Sequence, residues 1–547
     1  MKTIRTYLYM LMLGMLPAAA SAQSHDFELI KNLDIMHTAV RELDMHFVDT
    51  IDPGKVMETG INAMMQSLDP YTVYYPESDM GELKTMTTGK YAGIGAIIRT
   101  YTGRDYVSIE EPYENMPAAE AGLKAGDEIL AIGGESMKGR ANSYVSDHLR
   151  GEPDTKVSVT VRRPGVEDSL TFVLTRRIIA LPSVPYYGMH GGYGYIFLDS
   201  FTENCSRDVM AAAIGLKEQG AKGLILDLRG NGGGLMQEAI NIVGLFVPKG
   251  TKVLETRGKL PQSVKSYQTS RNPIDENIPL VVMVDDESAS ASEIVSGALQ
   301  DLDRAVIVGT RTFGKGLVQS TRPLPYNGTL KLTTAKYYIP SGRCIQEIDY
   351  SKRGDNGQAQ HIPDSLTHVF QTAAGRPVRD GGGIRPDVPV KQDTMPDIVY
   401  NLSMDVVLFD YVNKYCIEHE TIAPVDDFVF TDDDYLQFRS FVENSSFQYV
   451  SQSSKALKSV RQLAQLEGLS QKASDEFDAL AAKLQYDLKS DLDIFRDDVK
   501  KIVAMAIVTR YYYQRGTIAQ SLKTDRFLRE AVSVLDDPSR YASILKP

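Results

Sequence analysis

The spacing of apolar positions changes along the chain and predicts different elements in turn. Between residues 26 and 79 these positions recur every three to four residues, which predicts a pair of helices broken at Asp52-Pro53. From about residue 90 to residue 175 they alternate in short runs, which predicts strands with two interrupting helices, 118–123 and 142–149. The predicted strands of this small module are 95–99, 106–109, 128–132, 157–162 and 170–174.

Further along, apolar runs alternate with amphipathic segments. The runs at 194–198, 223–228, 280–284 and 305–309 predict strands, and the segments near 207–219, 235–245 and 292–299 predict helices. This alternation indicates an α/β sheet whose functional residues lie beyond the strand ends. The last part of the chain is predicted to be mostly helical, including 471–488 and 491–514, and shows no recognisable chemistry. This last region could form a lid, a dimerisation arm or an adaptor platform. The pattern of the whole chain predicts a multidomain α+β protein.

A serine-rich segment, Ser288-Ala-Ser-Ala-Ser-Glu293, lies where the strand predicted at 280–284 turns into a helix. A hydroxyl at a helix N-terminus faces backbone N–H groups that have no partner within the helix. Such groups stabilise the negative oxygen that develops when a carbonyl carbon is attacked. The segment is therefore a candidate site for a serine nucleophile, and on this chemistry alone Ser288, Ser290 and Ser292 are all candidates.

The nucleophile needs a base, and none of the eight histidines lies between Gly191 and Gln360. Lys315 follows Ser290 on the turn after the apolar run 305–308. A lysine acts as a base where burial lowers its pKa towards neutrality. The residues around this lysine are small or apolar: Phe313, Gly314, Gly316, Leu317 and Val318. A Ser-Lys dyad is therefore chemically reasonable.

Two other interpretations use the same residues. Ser290 and Glu293 have the S-x-x-E spacing of a capping box, in which the serine only caps the following helix. The segment Gly309-Thr-Arg-Thr-Phe-Gly-Lys315 nearly matches the phosphate-binding motif G-x-x-x-x-G-K-[ST], but Gly316 stands where that motif has its Mg²⁺-binding hydroxyl. The residues that follow predict a strand, so the helix dipole that would favour a phosphate is missing.

Five segments lie in order along the chain: Asp227-Leu-Arg-Gly-Asn-Gly-Gly-Gly234, Ser288-Ala-Ser-Ala-Ser-Glu-Ile294, Gly297-Ala-Leu-Gln-Asp301, Phe313-Gly-Lys-Gly-Leu-Val-Gln319 and Thr333-Thr-Ala-Lys-Tyr-Tyr-Ile-Pro-Ser-Gly342. Together they resemble the carboxy-terminal processing (tail-specific) peptidases, a Ser-Lys family that carries a PDZ domain. The resemblance covers about residues 27–390. It implies an N-terminal helical region over 23–87, a PDZ domain over 88–177 and a crotonase-like α/β protease core over 178–393. Beyond it the resemblance fades, and the helical pattern alone predicts a helical C-terminal domain over 394–547.

The resemblance also implies roles for single residues. The family's spacing puts the nucleophile on Ser290 and the base on Lys315. The other implied roles fall on Gln319, which would orient the base, and on the oxyanion-hole N–H groups of Ala291 and of either Gly232 or Gly233. Asp227 and Arg229 close an apolar strand, and we expect them to pair with each other and to fix the glycine loop rather than to take part in catalysis.

Within the β-rich module, Tyr91-Ala-Gly-Ile-Gly95 resembles the carboxylate-binding loop of a PDZ domain. In such a domain an extended peptide adds a strand to an open sheet edge while loop N–H groups hold its terminal carboxylate. Glycines permit that close approach of two backbones. The residues expected to bind a chain terminus are Ala92, Gly93, Ile94 and Gly95.

Composition, with 43% apolar and 24% charged residues, agrees with a soluble globular protein. Lys2 and Arg5, an apolar run over 7–16 and Ala20-Ser-Ala22 predict a secretory signal peptide over 1–22, whose run is too short to span a bilayer. We therefore expect export, a periplasmic location and no stable membrane insertion. Removing the leader changes the net charge from -12 to -14, which disfavours binding to nucleic acid.

The cysteines and histidines point to no prosthetic group. Cys205, Cys344 and Cys416 are far apart and form no disulfide framework. The chain has no C-x-x-C, no H-E-x-x-H and no close His/Asp cluster, so neither a metal nor another cofactor is expected.

These features predict a secreted serine endopeptidase that recognises protein C-terminal tails through its PDZ domain and cleaves through an acyl-enzyme. The alternative is a non-catalytic PDZ sensor or scaffold on a degenerate protease fold, and the occupied catalytic positions argue against it. The expected partners are proteins with exposed, often apolar C-termini. The resemblance also allows a homodimer and an adaptor or regulator.

Overall fold

The computed structural model describes residues 25–354, 357–469, 472–484 and 487–546, so the predicted signal peptide lies outside the described residues. The described residues form two compact units: those up to residue 80 with 319–333, and those of 81–318 with those from 334 onwards. In the described ranges no helix combines the length and the apolar character needed to cross a bilayer.

In the first unit the predicted helical pair is confirmed as a helix over residues 25–46 and a second helix, Pro53–Gln66. The break falls at Asp52, whose carboxylate caps the second helix by accepting the N–H groups of Gly54 at 2.9 Å and Lys55 at 3.2 Å. Pro53 suits the first helical position because an N–H there has no intrahelical partner. The unit also contains the short strand Val73–Tyr75, which pairs antiparallel with residues 329–331, and a 3-10 turn, Glu77–Asp79.

The second unit begins with the helix Met80–Thr88 and the β-rich module. Five antiparallel strands form the module's sheet, in the order Ala96–Arg99, Ser108–Pro112, Glu128–Ile132, Lys156–Arg162 and Leu170–Thr175, with Glu135–Ser136 added to the third. Two helices, Pro117–Glu120 and Asn142–Leu149, cover it. The strand Lys90–Gly93 pairs antiparallel with Arg177–Ala180, so the segments that enter and leave the module are hydrogen-bonded to each other.

The predicted α/β sheet is confirmed and has six strands, in the order Tyr186–His190, Tyr193–Phe197, Leu224–Asp227, Leu280–Val284, Val306–Gly309 and Val388–Pro389. The first pair is antiparallel and the other pairs are parallel. The strand Leu280–Val284 is fully buried, because helices cover both faces of the sheet.

The two faces of this sheet meet different helices. Leu280, Val282 and Val284 pack in the core formed with the helices Cys205–Glu218, Met236–Val243 and Ala291–Asp301. Val281 and Met283 point to the opposite face and pack against the helices Arg526–Asp536 and Pro538–Leu545. The end of the chain is therefore one layer of the α/β core, which the sequence pattern did not predict.

The helices that precede the last two in sequence enclose a second hydrophobic core, which is rich in aromatic residues. Their bounds are Asp397–Met404, Val406–Glu418, Asp432–Glu443, Gln452–Leu466, Ser474–Leu484, Leu488–Ile494 and Arg496–Leu522. The predicted helix 471–488 is wrong in extent, since its described part is Ser474–Leu484 followed by a separate short helix; Gln471 and residues 485–486 lie outside the described residues. The predicted helix 491–514 begins later, at Arg496, and continues to Leu522.

The long helix Arg496–Leu522 is kinked at Tyr513, whose φ of 56° and ψ of -167° are not helical. A positive φ at a residue with a bulky side chain is strained and needs support from its surroundings. The kink frees the N–H of Gln514, which donates to Glu111 Oε1 at 2.8 Å. Glu111 lies in the strand Ser108–Pro112 of the β-rich module, so that module and the C-terminal helices are joined at the kink.

The other described elements of the chain are strands and turns. The strand Lys252–Gly258 pairs antiparallel with Lys265–Gln268 and with residues 335–338. The other elements are the strands Leu317–Pro323, Thr329–Tyr338, Ile348–Arg353, Ala359–His361, Val369–Gln371 and Pro377–Arg379 and the 3-10 turns Pro261–Ser263 and Asp364–Leu366.

We predict that Leu528→Ala destabilises the protein by about 2–5 kcal/mol, because it leaves a cavity between the last layer and the sheet. The matched control is Leu436→Ala, since Leu436 is exposed on a helix outside this layer and its truncation should change the stability little. Denaturant titration of both variants measures the difference. Equal losses in the two variants would show that the last helices are not part of the core.

Candidate active site

Ser290 joins the loop after the strand Leu280–Val284 to the helix Ala291–Asp301. Its φ of 56° and ψ of -108° lie outside the regions that a residue with a side chain favours. Such a conformation costs on the order of 1–3 kcal/mol and persists only where the surrounding structure holds it, most often at functional sites. The strand-to-helix turn thus presents Ser290 in a strained and sharply turned backbone.

The two neighbouring serines have structural hydrogen bonds. The Ser288 hydroxyl donates to the carbonyl of Leu228 at 2.8 Å, and the Ser292 hydroxyl donates to the carbonyl of Asn231 at 2.8 Å. Both side chains are fully buried, whereas Ser290 is partly exposed. The structure therefore separates the three candidates, with Ser290 alone combining access to solvent and backbone strain.

Glu293 gathers the backbone of both predicted dyad residues around one carboxylate. Its Oε2 accepts the N–H of Ser290 at 2.9 Å and the N–H of Lys315 at 2.8 Å. Its Oε1 accepts the N–H of Gly314 at 2.7 Å and the hydroxyl of Thr312 at 2.6 Å. The first contact belongs to the predicted capping box, and the other three bring in a turn that lies far along the sequence.

Burial raises the pKa of Glu293 to about 7, although the Thr312 hydroxyl and the backbone N–H groups act in the opposite direction. The folded protein then binds this proton more tightly than the unfolded chain, whose glutamate has a pKa near 4.5. Its contribution to the free energy of unfolding is therefore full below pH 4.5 and is lost as the pH rises to about 7. All four contacts donate to the carboxyl oxygens and oppose the effect of burial, so the ionised carboxylate is the form that they stabilise once the pH is above about 7.

Tyr337 joins the same two residues from their carbonyl side. Its buried hydroxyl lies 2.9 Å from the carbonyl oxygen of Lys315 and 3.2 Å from that of Ser290, so the two carbonyls share its one proton and the shorter contact, to Lys315, is the main hydrogen bond. Burial raises the pKa of Tyr337 well above its usual range, so the hydroxyl stays protonated and remains a donor. Ser290 and Lys315 are therefore held together on both sides, at N–H by Glu293 and at C=O by Tyr337.

The turn around Lys315 cannot serve as a phosphate loop. The N–H groups of Gly314 and Lys315 donate to Glu293, and that of Gly316 donates to Gln346 Oε1 at 2.7 Å. These are the groups that would cradle a phosphate. A strand, Leu317–Pro323, follows them as predicted.

The glycine loop after the strand Leu224–Asp227 is fixed to the serine turn by Asn231, which is fully buried. The carbonyl of Asn231 accepts the N–H of Ala289 at 3.0 Å and the Ser292 hydroxyl at 2.8 Å. Its side-chain amide donates to the carbonyl of Leu198 at 2.8 Å. The loop and the serine turn are thus held in one arrangement.

The two candidate oxyanion glycines differ in their hydrogen bonds. The N–H of Gly233 donates to Asn231 Oδ1 at 2.9 Å. Gly233 has a φ of +103°, and a Cβ there would lie 2.8 Å from the Cβ of Ser290, so only glycine fits. Gly232 is exposed beside it, and Ala291 is the first helical residue, whose N–H has no intrahelical acceptor.

The expected pairing of Asp227 with Arg229 is confirmed, and it extends further than the sequence indicated. Arg229 Nη2 lies 2.6 Å from Asp227 Oδ2 and 2.6 Å from Asp525 Oδ2. Asp227 also accepts the hydroxyl of Tyr195 at 2.6 Å. The base of the glycine loop is therefore tied both to the sheet and to the last helical layer.

Gln319 lies in the strand Leu317–Pro323 and belongs to the first compact unit. Its side-chain amide donates to the hydroxyl of Thr333 at 3.2 Å, and Thr333 lies 3.4 Å from the hydroxyl of Thr72 in the same unit. Its assignment as the residue that orients the base stays a prediction.

The four residues predicted to bind a chain terminus fall at a strand end. Ala92 and Gly93 pair with Ile178 and Arg177 in a two-stranded ladder. Ile94 is buried, and Gly95 has a φ of +73° at the turn into the next strand.

A groove opens between that turn and the helix Asn142–Leu149, lined in part by Gly95, Ile98 and Leu149. Arg150 lies at the end of the helix with its guanidinium 5.3 Å from the centre of the Tyr91 ring. No prediction from the sequence covered Arg150, Tyr337 or the wider role of Glu293. A cation directly after a predicted helix was the one local signal available for Arg150.

Comparison with known proteins agrees with this geometry. Peptidase family S41 matches residues 192–351, and a PDZ domain matches residues 108–163. The C-terminal helical domain of a probable PDZ-protease matches residues 398–535.

The chain is 38% identical over 306 residues to the carboxy-terminal-processing protease of Bartonella bacilliformis, which covers 55% of this chain and 70% of that protein. It is 38% identical over 295 residues to the carboxyl-terminal-processing protease of Synechocystis sp., covering 53% and 68% of the two chains. The solved structure of the photosystem II D1 C-terminal processing protease is 29% identical, covers 66% of this chain and 93% of its own, and has a TM-score of 0.35.

We predict that Glu293→Gln lowers any activity that depends on Ser290 by at least about 100-fold and lowers the thermal midpoint, because an amide nitrogen would face two of the four donors. Hydrolysis of a peptide substrate and thermal unfolding measure the two effects. The control is Glu287→Gln, since Glu287 is an exposed carboxylate on the same loop and its change should affect neither. Full activity in Glu293→Gln would show that the carboxylate does not hold the dyad.

Proposed function

The chain belongs to the carboxy-terminal processing proteases of peptidase family S41, and we propose that it is a secreted serine endopeptidase with Ser290 as nucleophile and Lys315 as general base. The observation that carries this proposal is the double hydrogen-bonded link between the two residues through Glu293 and Tyr337. A nucleophile and its base must keep a fixed separation for proton transfer to be efficient. Glu293 at the two N–H groups and Tyr337 at the two carbonyl groups hold the backbone of both residues side by side, which supports such a constraint.

In the proposed mechanism the neutral amine of Lys315 takes the proton of the Ser290 hydroxyl as the oxygen attacks the peptide carbonyl. The negative oxygen of the tetrahedral intermediate is bound by the N–H groups of Ala291 and Gly232. We choose Gly232 over Gly233 because the N–H of Gly233 already has an acceptor in Asn231.

Collapse of the intermediate breaks the C–N bond, and the leaving amine receives its proton from the Lys315 ammonium group. The product is an ester between Ser290 and the N-terminal part of the substrate. Lys315 then deprotonates a water molecule that attacks the ester, and the returned proton restores the serine hydroxyl. We retain Gln319 as the residue that orients the lysine amine, a role that rests on the family resemblance.

The substrate class follows from the groove of the PDZ module. Ile98 and Leu149 give it apolar walls, and Arg150 places a positive charge at its end. This chemistry suits an extended chain terminus with apolar side chains and a free carboxylate. We propose that the loop of Ala92, Gly93, Ile94 and Gly95 holds the carboxylate and that proteins are selected by their C-terminal tails.

The experiment that tests this function is mass spectrometry of an unfolded reporter protein with an apolar C-terminal tail. Ser290→Ala and Lys315→Ala should each abolish cleavage, with a loss of at least about 1,000-fold, because each removes one half of the dyad. The matched controls Ser266→Ala and Lys336→Ala change exposed residues and should cleave like the wild type. Replacing the tail with charged residues should weaken cleavage by the wild type.

Substantial cleavage by Ser290→Ala or Lys315→Ala would refute the assignment of these two residues as nucleophile and base. Equal cleavage of apolar and charged tails would refute tail selection and leave the dyad intact. Tail binding without cleavage by the wild type would favour the non-catalytic PDZ protein.

A further inference from the structure

We infer that Asp525, from the C-terminal helical region, is a positioning residue for the oxyanion loop and acts through Arg229. This inference rests on the proposed function of the Ser290 site. One arginine, Arg229, lies between two carboxylates. Arg229 Nη2 lies 2.6 Å from oxygens of both Asp227 and Asp525, although Asp525 is 296 residues away in sequence.

Arg229 is well placed to control the loop because it immediately precedes the glycines. Glycines have no side chains with which to anchor a backbone, so the loop's conformation depends on the residues at its ends and on Asn231. Asp285 accepts the N–H of Gly230 at 3.0 Å, and Asn231 fixes the far side. The guanidinium of Arg229 is the side-chain anchor at the start of this loop.

Asp525 is itself rigidly held. Its Oδ1 accepts the N–H groups of Phe527 at 2.7 Å and Leu528 at 3.1 Å, which caps the helix Arg526–Asp536. That helix packs on the central sheet through Phe527 and Leu528. The Phe527 ring also lies 5.0 Å from the Arg229 guanidinium. The other oxygen of Asp525 therefore meets Arg229 from a fixed position.

Replacing Asp227 and replacing Asp525 should have different effects on the protein. Asp227 is almost fully buried, so its loss would leave the partly buried Arg229 cation without its principal partner and would disturb folding. Loss of the Asp525 charge leaves Arg229 still paired with Asp227. The remaining pair no longer fixes the direction of the guanidinium from two sides, so the expected result is a displaced glycine loop in a folded protein.

We predict that Asp525→Asn lowers kcat about 10- to 100-fold and changes KM by less than about 2-fold, because an oxyanion donor out of place affects the transition state and not the bound ground state. Asp525→Ser should behave alike. Asparagine and serine both retain the helix cap, so either variant separates the ion pair from the cap. Steady-state cleavage of a tail-bearing peptide by the full chain measures both constants.

The matched control is Asp536→Asn. Asp536 ends the same helix and accepts the hydroxyl of Tyr193 at 2.8 Å, so its change removes another contact between this helix and the sheet without touching Arg229. It should keep the wild-type kcat. In the background of Arg229→Gln, Asp525→Asn should lower kcat by less than about a further 2-fold, because the two residues act as one unit.

Wild-type kcat in both Asp525 variants, an effect on KM alone, or an effect fully additive with Arg229→Gln would overturn the inference. So would unfolding of both variants while Asp536→Asn stays folded, because the pair would then serve stability. These results are distinct from failure of the proposed function, which would appear as an inactive wild type or an active Ser290→Ala.

Discussion

The buried carboxylate of Glu293 is the constraint on which the rest of the site depends. An ionised group without water is tolerated only when hydrogen-bond donors replace its hydration, and four donors from two separate segments do so here. Two of those donors are the backbone N–H groups of Ser290 and Lys315. The requirement to satisfy one buried charge therefore holds the backbone of the proposed nucleophile next to the backbone of the proposed base.

This constraint explains the strained backbone of Ser290. Its unfavourable φ persists because Glu293, Tyr337 and the glycine loop hold the turn from three directions. The loop is held in turn by contacts that reach the last helices through Arg229 and Asp525. The same region is joined to the β-rich module where Glu111 accepts the N–H freed at Tyr513. The C-terminal helices are thus in physical contact both with the PDZ groove's module and with the proposed oxyanion loop.

Local patterns predicted the elements that local interactions determine. The apolar run 280–284, followed by a serine three residues before Glu293, predicted the strand, the turn and the helix around Ser290, and all three are present. The packing of Leu528 on that strand left no local trace, because the two segments lie far apart in sequence. For the same reason the capping-box spacing indicated only one of the four donors to Glu293. The other three come from residues 312–315, and only the folded structure brings that segment to Glu293. The kink at Tyr513 follows neither a proline nor a glycine, so the helix pattern gave no warning of it.

The most direct test of the central claim is to locate the residue that reacts with a serine-directed organophosphorus fluoride. After digestion, mass spectrometry of the wild-type protein should find the adduct on Ser290, because the proposed base Lys315 would activate that hydroxyl and no other in the segment. In Lys315→Ala the adduct should be lost while the protein stays folded. Labelling of Ser288 or Ser292, or undiminished labelling of Ser290 in the lysine variant, would contradict the assignment of a Ser290–Lys315 dyad.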